Sequence, residues 1–599
     1  MMKHTDIIPL EKAKTLHGAF YQRQLRSPDD TAYVQYDRIR GEWISHSWKN
    51  TAEVVGQWQQ ALGRESLETG DRVAIMLKNC WEWVLFDQAA LGLGLVTVPL
   101  FPNDRPDNIA YILEDSDAKL LFLETDEQWI SLQPVADRLQ KLRRIVSLES
   151  VEEQFGLPIV SLSDWLSEGS FELITQDVDP DSLATIVYTS GTTGKSKGVM
   201  LSHRNILWNA EAGLKMIDVF PDDISLSFLP LSHTLERTVG YYLMILSGAT
   251  VTYARSIAEL ADDLVEVKPT ILISVPRIFE RVYAKIQEKL EHDSGVARFL
   301  FNKAVEVGLC RFNYTQGRSD WHYSLLFWPL LEKIVARKVQ AKLGGRLRFA
   351  ISGGAALSVD VAQLFIGLGI PIQQGYGLTE SSPIISVNAL EDNIPESIGK
   401  PLPGVEIMVG DDDELLTRSP SVMLGYWKNN AGTAAIIDEE GWLHTGDQVR
   451  IVDDHIYITG RIKEIIVMAN GEKISPADME MAIAMESLID QVIVIGEKRP
   501  YLSALVVPNL EKLKELAKSM KLNTEADELT NNEKLHEKIL SLIHNRLRSF
   551  PGYAEIRRIG IIKEAWSIEN GMMTPTLKLK RSLVLDKYNQ LVDRLYSGH

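Results

Sequence analysis

Between Thr69 and Ser190, short runs of consecutive apolar residues, "DRVAIML", "VTVPLF" and "AKLLFLE", alternate with longer stretches such as Trp81 to Leu91. Apolar runs of that length predict strands buried on both faces, and the stretches between them predict helices. The alternation is that of an α/β protein with layered, largely parallel sheets. It returns in "ISLSFLPL", "ATVTYA", "PTILISVP" and "LRFAISGGA", so more than one sheet is expected. Residues Val282 to Gly344 read as mostly helical, with no shift in composition that would mark a boundary. After Gly460 the texture changes. "GRIKEIIVMANGEKISPADMEMAI" reads as strand, turn, strand, then a helix opened by Ser475-Pro476. A charged helical stretch from Leu510 to Arg548 and an apolar run from Ile556 to Ile562 complete a smaller α+β unit. The expected organisation is a large N-terminal region of layered sheets and helices, residues 1–460, and a small, mobile C-terminal α+β domain, residues 461–599.

The length, 599 residues, exceeds what one hydrophobic core sustains. A formal net charge of −18 argues against a general nucleic-acid binder, whose footprint is basic. It also disfavours holding an anionic membrane by bulk charge, leaving that task to a local basic patch. One candidate is "LLFWPLLEKIVARKVQAKLGGRLR", where Lys333, Arg337, Lys338, Lys342, Arg346 and Arg348 face a single acid, Glu332. It reads either as a membrane-surface contact or as a solvated face beside a packed one. Cys80 and Cys310 lie far apart without metal-ligand spacing, which fits a reducing compartment. The start, "MMKHTDIIPLEKAKTL", has no apolar segment of signal-peptide length, and the most apolar run, Ala89 to Pro102, is too short to span a bilayer. The expectation is a cytoplasmic protein, free or peripherally attached at the inner face of a membrane.

"YTSGTTGKSKGVM", Tyr188 to Met200, gathers glycines, hydroxyls and the lysines Lys195 and Lys197 into one short loop. The P-loop spacing fails, because its first glycine falls where Thr189 stands. The context fails too. "LATIVYT" predicts a strand, "VML" a second strand, and the next helix begins only near Ser202. Glycines that let backbone N–H groups approach an anion, donor hydroxyls and lysines still suit phosphate. Taken alone, the loop reads equally well as a surface hairpin.

Four further motifs follow in order: "QQGYGLTE" (Gln373 to Glu380), "GWLHTGD" (Gly441 to Asp447), "TGRIKE" (Thr459 to Glu464) and "MTPTLKLKR" (Met573 to Arg581). Together with the loop they resemble the adenylate-forming enzymes: acyl-CoA synthetases, the adenylation domains of peptide synthetases and luciferases. "FLPLSHTLER", "SVPRIFERVYAKI" and "LGGRLRFAISGGAAL" look more like the long-chain fatty acyl-CoA synthetases within that group.

The resemblance implies two half-reactions at one site, with ATP, Mg²⁺ and coenzyme A as cofactor and co-substrates and a long-chain fatty acid as the acid. Thr189, Ser190, Gly191, Thr192, Thr193, Gly194, Lys195 and Lys197 would hold the β- and γ-phosphates. Glu380 would ligate Mg²⁺ with Thr192, and Thr379 would touch the α-phosphate. Gly353, Gly354, Gln374, Gly375, Tyr376 and Gly377 would lie against the nucleotide, with the Tyr376 ring on adenine. Asp447 would accept from the ribose hydroxyls, and Arg461 would reach ribose or phosphate. The catalytic lysine is Lys578 or Lys580, with Lys578 preferred although Leu577 stands where many relatives carry glycine. Lys463 would be a hinge, and Gly471 with Lys473 would pass the coenzyme A arm. His233, Tyr242 and Leu243 would border the acyl pocket, and Glu236, Arg237 and Arg277 read as a structural ion-pair set. The alternatives are a fatty acyl-AMP ligase that hands its adenylate to a carrier protein, and a catalytically silent lipid- and nucleotide-binding scaffold. Oligomeric state is left open, a homodimer being one option.

Overall fold

The computed structural model describes residues 4–597 except 153–154, 170, 190–195, 523–528, 531, 549 and 575–577. Two large sheets carry most of the chain. One has eight strands in the spatial order Gly425–Tyr426, Lys197–Ser202, Leu183–Thr189, Val96–Pro99, Arg72–Met76, Ala118–Leu123, Arg144–Ser147 and Ile159–Ser161. Its six consecutive members from Leu183–Thr189 to Ile159–Ser161 are mutually parallel. They are buried almost throughout, which is why they read as unbroken apolar runs. The other sheet has nine strands, and its central members Ile224–Ser227, Thr250–Tyr253, Ile271–Ser274 and Phe349–Ser352 are the later apolar runs of the sequence.

Helix Trp81–Gly92 shows what the packing requires. Its side chains are buried from Trp83 to Leu91, so it has no solvent stripe. The polar group it carries inward, Asp87, is satisfied there: Arg237 Nη2 donates to Asp87 at 2.6 Å, and the Tyr242 hydroxyl donates to it at 2.6 Å. This corrects the expected ion-pair set. Arg237 pairs with Asp87 and not with Glu236, both members being 1% exposed or less, while Arg277 lies at the surface.

A four-stranded antiparallel sheet follows, Glu406–Val409, Glu414–Arg418, Leu443–Val452 and His455–Arg461. From Ile466 onward the apolar side chains form cores of their own, around Ile466, Met479, Val494 and Ile539 and around Leu505, Trp566 and Val584. Their framework is the pair Ile466–Val467 and Lys473–Ile474 and the sheet Ile489–Ile495, Leu502–Pro508 and Ile556–Ile561. The helical segment expected from Val282 to Gly344 is present as Pro276–His292, Gly295–Thr315 and a nearly unbroken run of short helical pieces from Tyr323 to Lys342.

Candidate active site

Strand Leu183–Thr189 pairs antiparallel with Lys197–Ser202, and Thr189 stands opposite Lys197. Helix His203–Leu214 then begins at Ser202, whose hydroxyl accepts from the Asn205 N–H. Of the loop residues, Ser190, Gly191, Thr192, Thr193, Gly194 and Lys195 lie outside the described residues. Thr189, Ser196 and Lys197 line a cavity of about 1780 Å³.

The other motifs meet at that cavity. Strand Ile372–Gly377 ends the nine-stranded sheet's parallel portion and delivers Gln374, Gly375, Tyr376 and Gly377 to the lining. Gly377 has to be glycine: a Cβ there would lie 1.7 Å from the Pro383 carbonyl oxygen. Gly353 and Gly354 follow strand Phe349–Ser352, and Gly354 has φ +80°, the left-handed region that glycine adopts without strain. Gln374 is committed to the backbone, donating to the Pro395 carbonyl at 2.5 Å and accepting from the Leu357 N–H at 3.2 Å.

Asp447 and Arg461 are direct cross-strand partners in the four-stranded sheet. Register therefore brings together two residues fourteen apart, with Arg461 Nε donating to Asp447 at 2.8 Å. The Tyr376 hydroxyl donates to the same carboxylate at 2.6 Å. Burial, then the Asp447 charge, holds the Tyr376 phenol well above its usual value. At Arg461 burial works downward, yet the hydrogen bond and charge of Asp447 prevail and the guanidinium is held above its usual value.

Glu380 accepts a hydrogen bond from the Tyr426 hydroxyl at 2.7 Å. The Lys197 ammonium stands 4.8 Å from the centre of that Tyr426 ring. Sequence reasoning missed Tyr426, because nothing local in "GYW" tells that it meets an acid 46 residues away. Thr379 faces the cavity beside Thr234, with 3.4 Å between their hydroxyls.

His233 lines the same space. Its Nδ1 accepts from the Leu235 N–H at 3.2 Å, so the neutral ring carries its proton on Nε2. Burial first and the Lys578 charge second push this imidazole down to about 4. Leu243 lines the cavity, together with Ile217, Val219, Met244, Ile271 and Phe349. Tyr242, expected at the acyl pocket, does not: it is fully buried against Asp87 and Arg237 in the core.

From the C-terminal part, Lys463, Lys578 and Lys580 reach the cavity. Lys578 is fixed at its backbone, its N–H donating to Thr574 Oγ1 at 3.0 Å. Desolvation first and Arg461 second lower its ammonium from the usual value, against the pull of Asp447, Glu464 and Glu380. Lys580 is lowered by burial and then by Arg105, against the pull of Asp104. Gly471 and Lys473 lie away from this space. Gly471 turns the pair Ile466–Val467 and Lys473–Ile474 with φ +87°, and Lys473 faces Asp412 at 3.9 Å.

Residues from the motifs that resemble those of the adenylate-forming enzymes, Thr189, Tyr376, Glu380, Asp447, Arg461 and Lys578 among them, thus line one cavity. The AMP-binding enzyme family model matches residues 20–427, and the AMP-binding enzyme C-terminal domain model matches residues 463–599. The chain belongs to the AMP-binding enzyme family. Among its relatives is a long-chain-fatty-acid–CoA ligase of Mycobacterium bovis, 30% identical over 590 residues and covering 95% of each chain. A long-chain-fatty-acid–CoA ligase of Rattus norvegicus is 30% identical over 632 residues, covering 100% of this chain and 91% of its own. Among solved structures, the A domain of a carboxylic acid reductase from Segniliparus rugosus, in complex with AMP and a co-purified carboxylic acid, superposes with a TM-score of 0.77 at 22% identity. It covers 99% of this chain and 97% of its own.

Proposed function

We propose that this protein is a long-chain-fatty-acid–CoA ligase that forms AMP. One observation carries the reading: a single cavity joins an ionic end, with Glu380, Asp447 and Lys578, to an apolar end lined by Ile217, Val219, Leu243 and Phe349. An acid whose carboxylate must meet a nucleotide while its alkyl chain leaves water needs that combination. In the first half-reaction a carboxylate oxygen attacks the α-phosphorus of ATP, forming the acyl–phosphate bond as pyrophosphate leaves. In the second, the coenzyme A thiolate attacks the acyl carbon and AMP leaves with the bridging oxygen.

Both steps bring anions together, so the work of the chain's residues is charge neutralisation and alignment. Lys578 acts as a charge clamp on the carboxylate and α-phosphate. It is preferred over Lys580 because its charge faces Arg461, Asp447, Glu464 and Glu380, whereas that of Lys580 faces Arg105 and Asp104. Asp447 accepts from the ribose hydroxyls, with Arg461 and Tyr376 holding its orientation. His233, neutral at neutral pH, adds no further positive charge beside Lys578 and Arg461.

The site suits Mg²⁺. Tyr426 orients Glu380 through one oxygen, and the other has no hydrogen bond among the described residues. A carboxylate oxygen left free in this way suits an ion that takes one or two carboxylates and completes its shell with phosphate and water. When bound, it supplies charge neutralisation on the phosphates. The C-terminal part, hinged at Lys463, would turn after adenylation to bring Gly471 and Lys473 to the coenzyme A arm.

The test is release of AMP and pyrophosphate from ATP across fatty acids of increasing length, with coenzyme A, with a carrier protein, or with neither. The proposal expects thioester formation with coenzyme A for long acids. Adenylate formation with transfer only to the carrier protein would replace it by the acyl-AMP ligase reading, and no pyrophosphate release under any condition would sink both.

A further inference from the structure

Lys197 and Glu380 line the same cavity. Opposite charges sheltered from water attract strongly and tend to close into an ion pair, yet among the described residues none joins these two. Tyr426, only 5% exposed, meets both of them. The Lys197 ammonium stands 4.8 Å from the centre of its ring, and its hydroxyl donates to Glu380 Oε1 at 2.7 Å. One side chain thus engages the cation through its π face and the anion through its polar tip.

The backbone explains why Tyr426 stands there. Strand Gly425–Tyr426 pairs antiparallel with Lys197–Ser202, with Tyr426 opposite Val199. Lys197 lies two residues from Val199 and therefore on the same face of the sheet, at the diagonal that an aromatic ring and a long side chain can span. The pairing continues past the strand itself: the Leu424 N–H donates to the Met200 carbonyl and the Trp427 N–H to the Gly198 carbonyl. Gly425 has φ +134°, and a Cβ there would crowd Thr433 at 3.0 Å. Thr433 Oγ1 in turn accepts from the Tyr426 N–H at 2.8 Å. The same segment grips Glu380 a second time, the Met423 N–H donating to the Glu380 carbonyl at 2.8 Å. Burial first and the Glu380 charge second hold the phenol well above its usual value, so it stays protonated and a donor.

We propose that Tyr426 is a positioning residue that holds Lys197 and Glu380 apart, leaving the ammonium free for the nucleotide's phosphates and the second Glu380 oxygen free for Mg²⁺. The proposal rests on the reading of Glu380 as the Mg²⁺ ligand. Without the hydroxyl, Glu380 is free to turn towards Lys197, and each charge then neutralises the other before the nucleotide arrives. Groups that orient a metal's ligands in this way typically set its affinity by about tenfold to 100-fold.

Binding of α,β-methylene-ATP, which cannot release pyrophosphate, is measured by titration calorimetry on the full-length protein with and without Mg²⁺. The ratio of the two affinities is the gain due to the metal. Tyr426→Phe keeps the ring and its packing and should cut that gain about tenfold or more, with the metal-free affinity little changed. Glu380→Gln should cut it as well, and adding Tyr426→Phe to Glu380→Gln should cost nothing further, because the hydroxyl acts through that carboxylate. In turnover, Tyr426→Phe should raise KM for Mg²⁺ and recover kcat at saturating Mg²⁺, with KM for the fatty acid unchanged. An unchanged gain in Tyr426→Phe while Glu380→Gln loses it overturns the inference and leaves the reading of Glu380 standing. Equal loss of affinity with and without Mg²⁺, or losses that add in full in the double variant, assign Tyr426 to structure alone and also overturn it. A full gain in Glu380→Gln removes the reading of Glu380 as the ligand, and the inference falls with it.

Discussion

Gly213 offers a direct measure of where the alkyl chain runs. It lies near the end of helix His203–Leu214 and lines the cavity with Ile217, Val219 and Leu243. A Cβ at this position would stand 3.4 Å from Ile384 Cδ1 and 3.5 Å from Leu243 Cδ1, ordinary van der Waals contact. Gly213→Leu is therefore accommodated at its first carbon, and its helix propensity improves on glycine's. The remaining three carbons project into the lumen. If they displace about three methylenes of a bound chain, the loss is about 2.4 kcal/mol at ~0.8 kcal/mol per methylene, or roughly 50-fold in kcat/KM. That loss should fall on acids long enough to pass Gly213 and spare shorter ones. The assay is pyrophosphate release with saturated acids from eight to eighteen carbons, comparing kcat/KM at each length. A uniform decrease at every length, or none, would refute the proposal that the acyl chain occupies this end of the cavity.

The site residues yield further predictions. Lys578→Ala should slow acyl-adenylate formation by about 10²–10³ while sparing thioester formation from supplied acyl-adenylate; Lys580→Ala should do neither to that extent, and the reverse order in single-turnover assays would reassign the role. Asp447→Ala removes the acceptor shared by Tyr376 and Arg461 and should raise KM for ATP about tenfold to 100-fold with a smaller effect on KM for the acid; equal effects on both would count against ribose binding. Burial pushes His17, His203 and His233 down to about 4. Their unfolded forms take up protons below about pH 6.5 while the folded forms stay neutral, so stability should fall from pH 6.5 to 4 by up to roughly 3 kcal/mol for each, and a melting temperature flat across that window would contradict it. Burial pushes the Glu236 carboxyl up to about 8, against a smaller opposing pull from the Ser227 hydroxyl. The folded form holds its proton where the unfolded form has lost it, so Glu236 opposes folding increasingly from pH 4.5 to 8. Glu236→Gln should then stabilise the protein by about 3 kcal/mol at pH 7 and negligibly at pH 4.5.

Much of this protein was readable from the chain itself. Apolar runs such as "RVAIM" and "ILIS" name their own strands, because a strand buried on both faces tolerates no polar alternation. Ser202 and Asn205 mark a helix start through their own backbone bonds. The order of motifs from Tyr188 to Arg581 points to the chemistry, since each is a local requirement for glycine, carboxylate or lysine. What the tertiary structure decided is pairing over distance. Arg237 stands beside Glu236 in sequence, yet its charge is met by Asp87, 150 residues away. Tyr242 and Leu243 are neighbours in the chain, and helical rotation sends one into the core and the other to the cavity wall. Which charges face Lys578 and which face Lys580 is likewise set by the fold, as is the exposure of Leu326 and Leu330. Hydrogen bonding and periodicity act within a few residues and leave their mark on the sequence. Electrostatic partnership and solvent exposure depend on where distant segments come to rest, and only the folded chain fixes that.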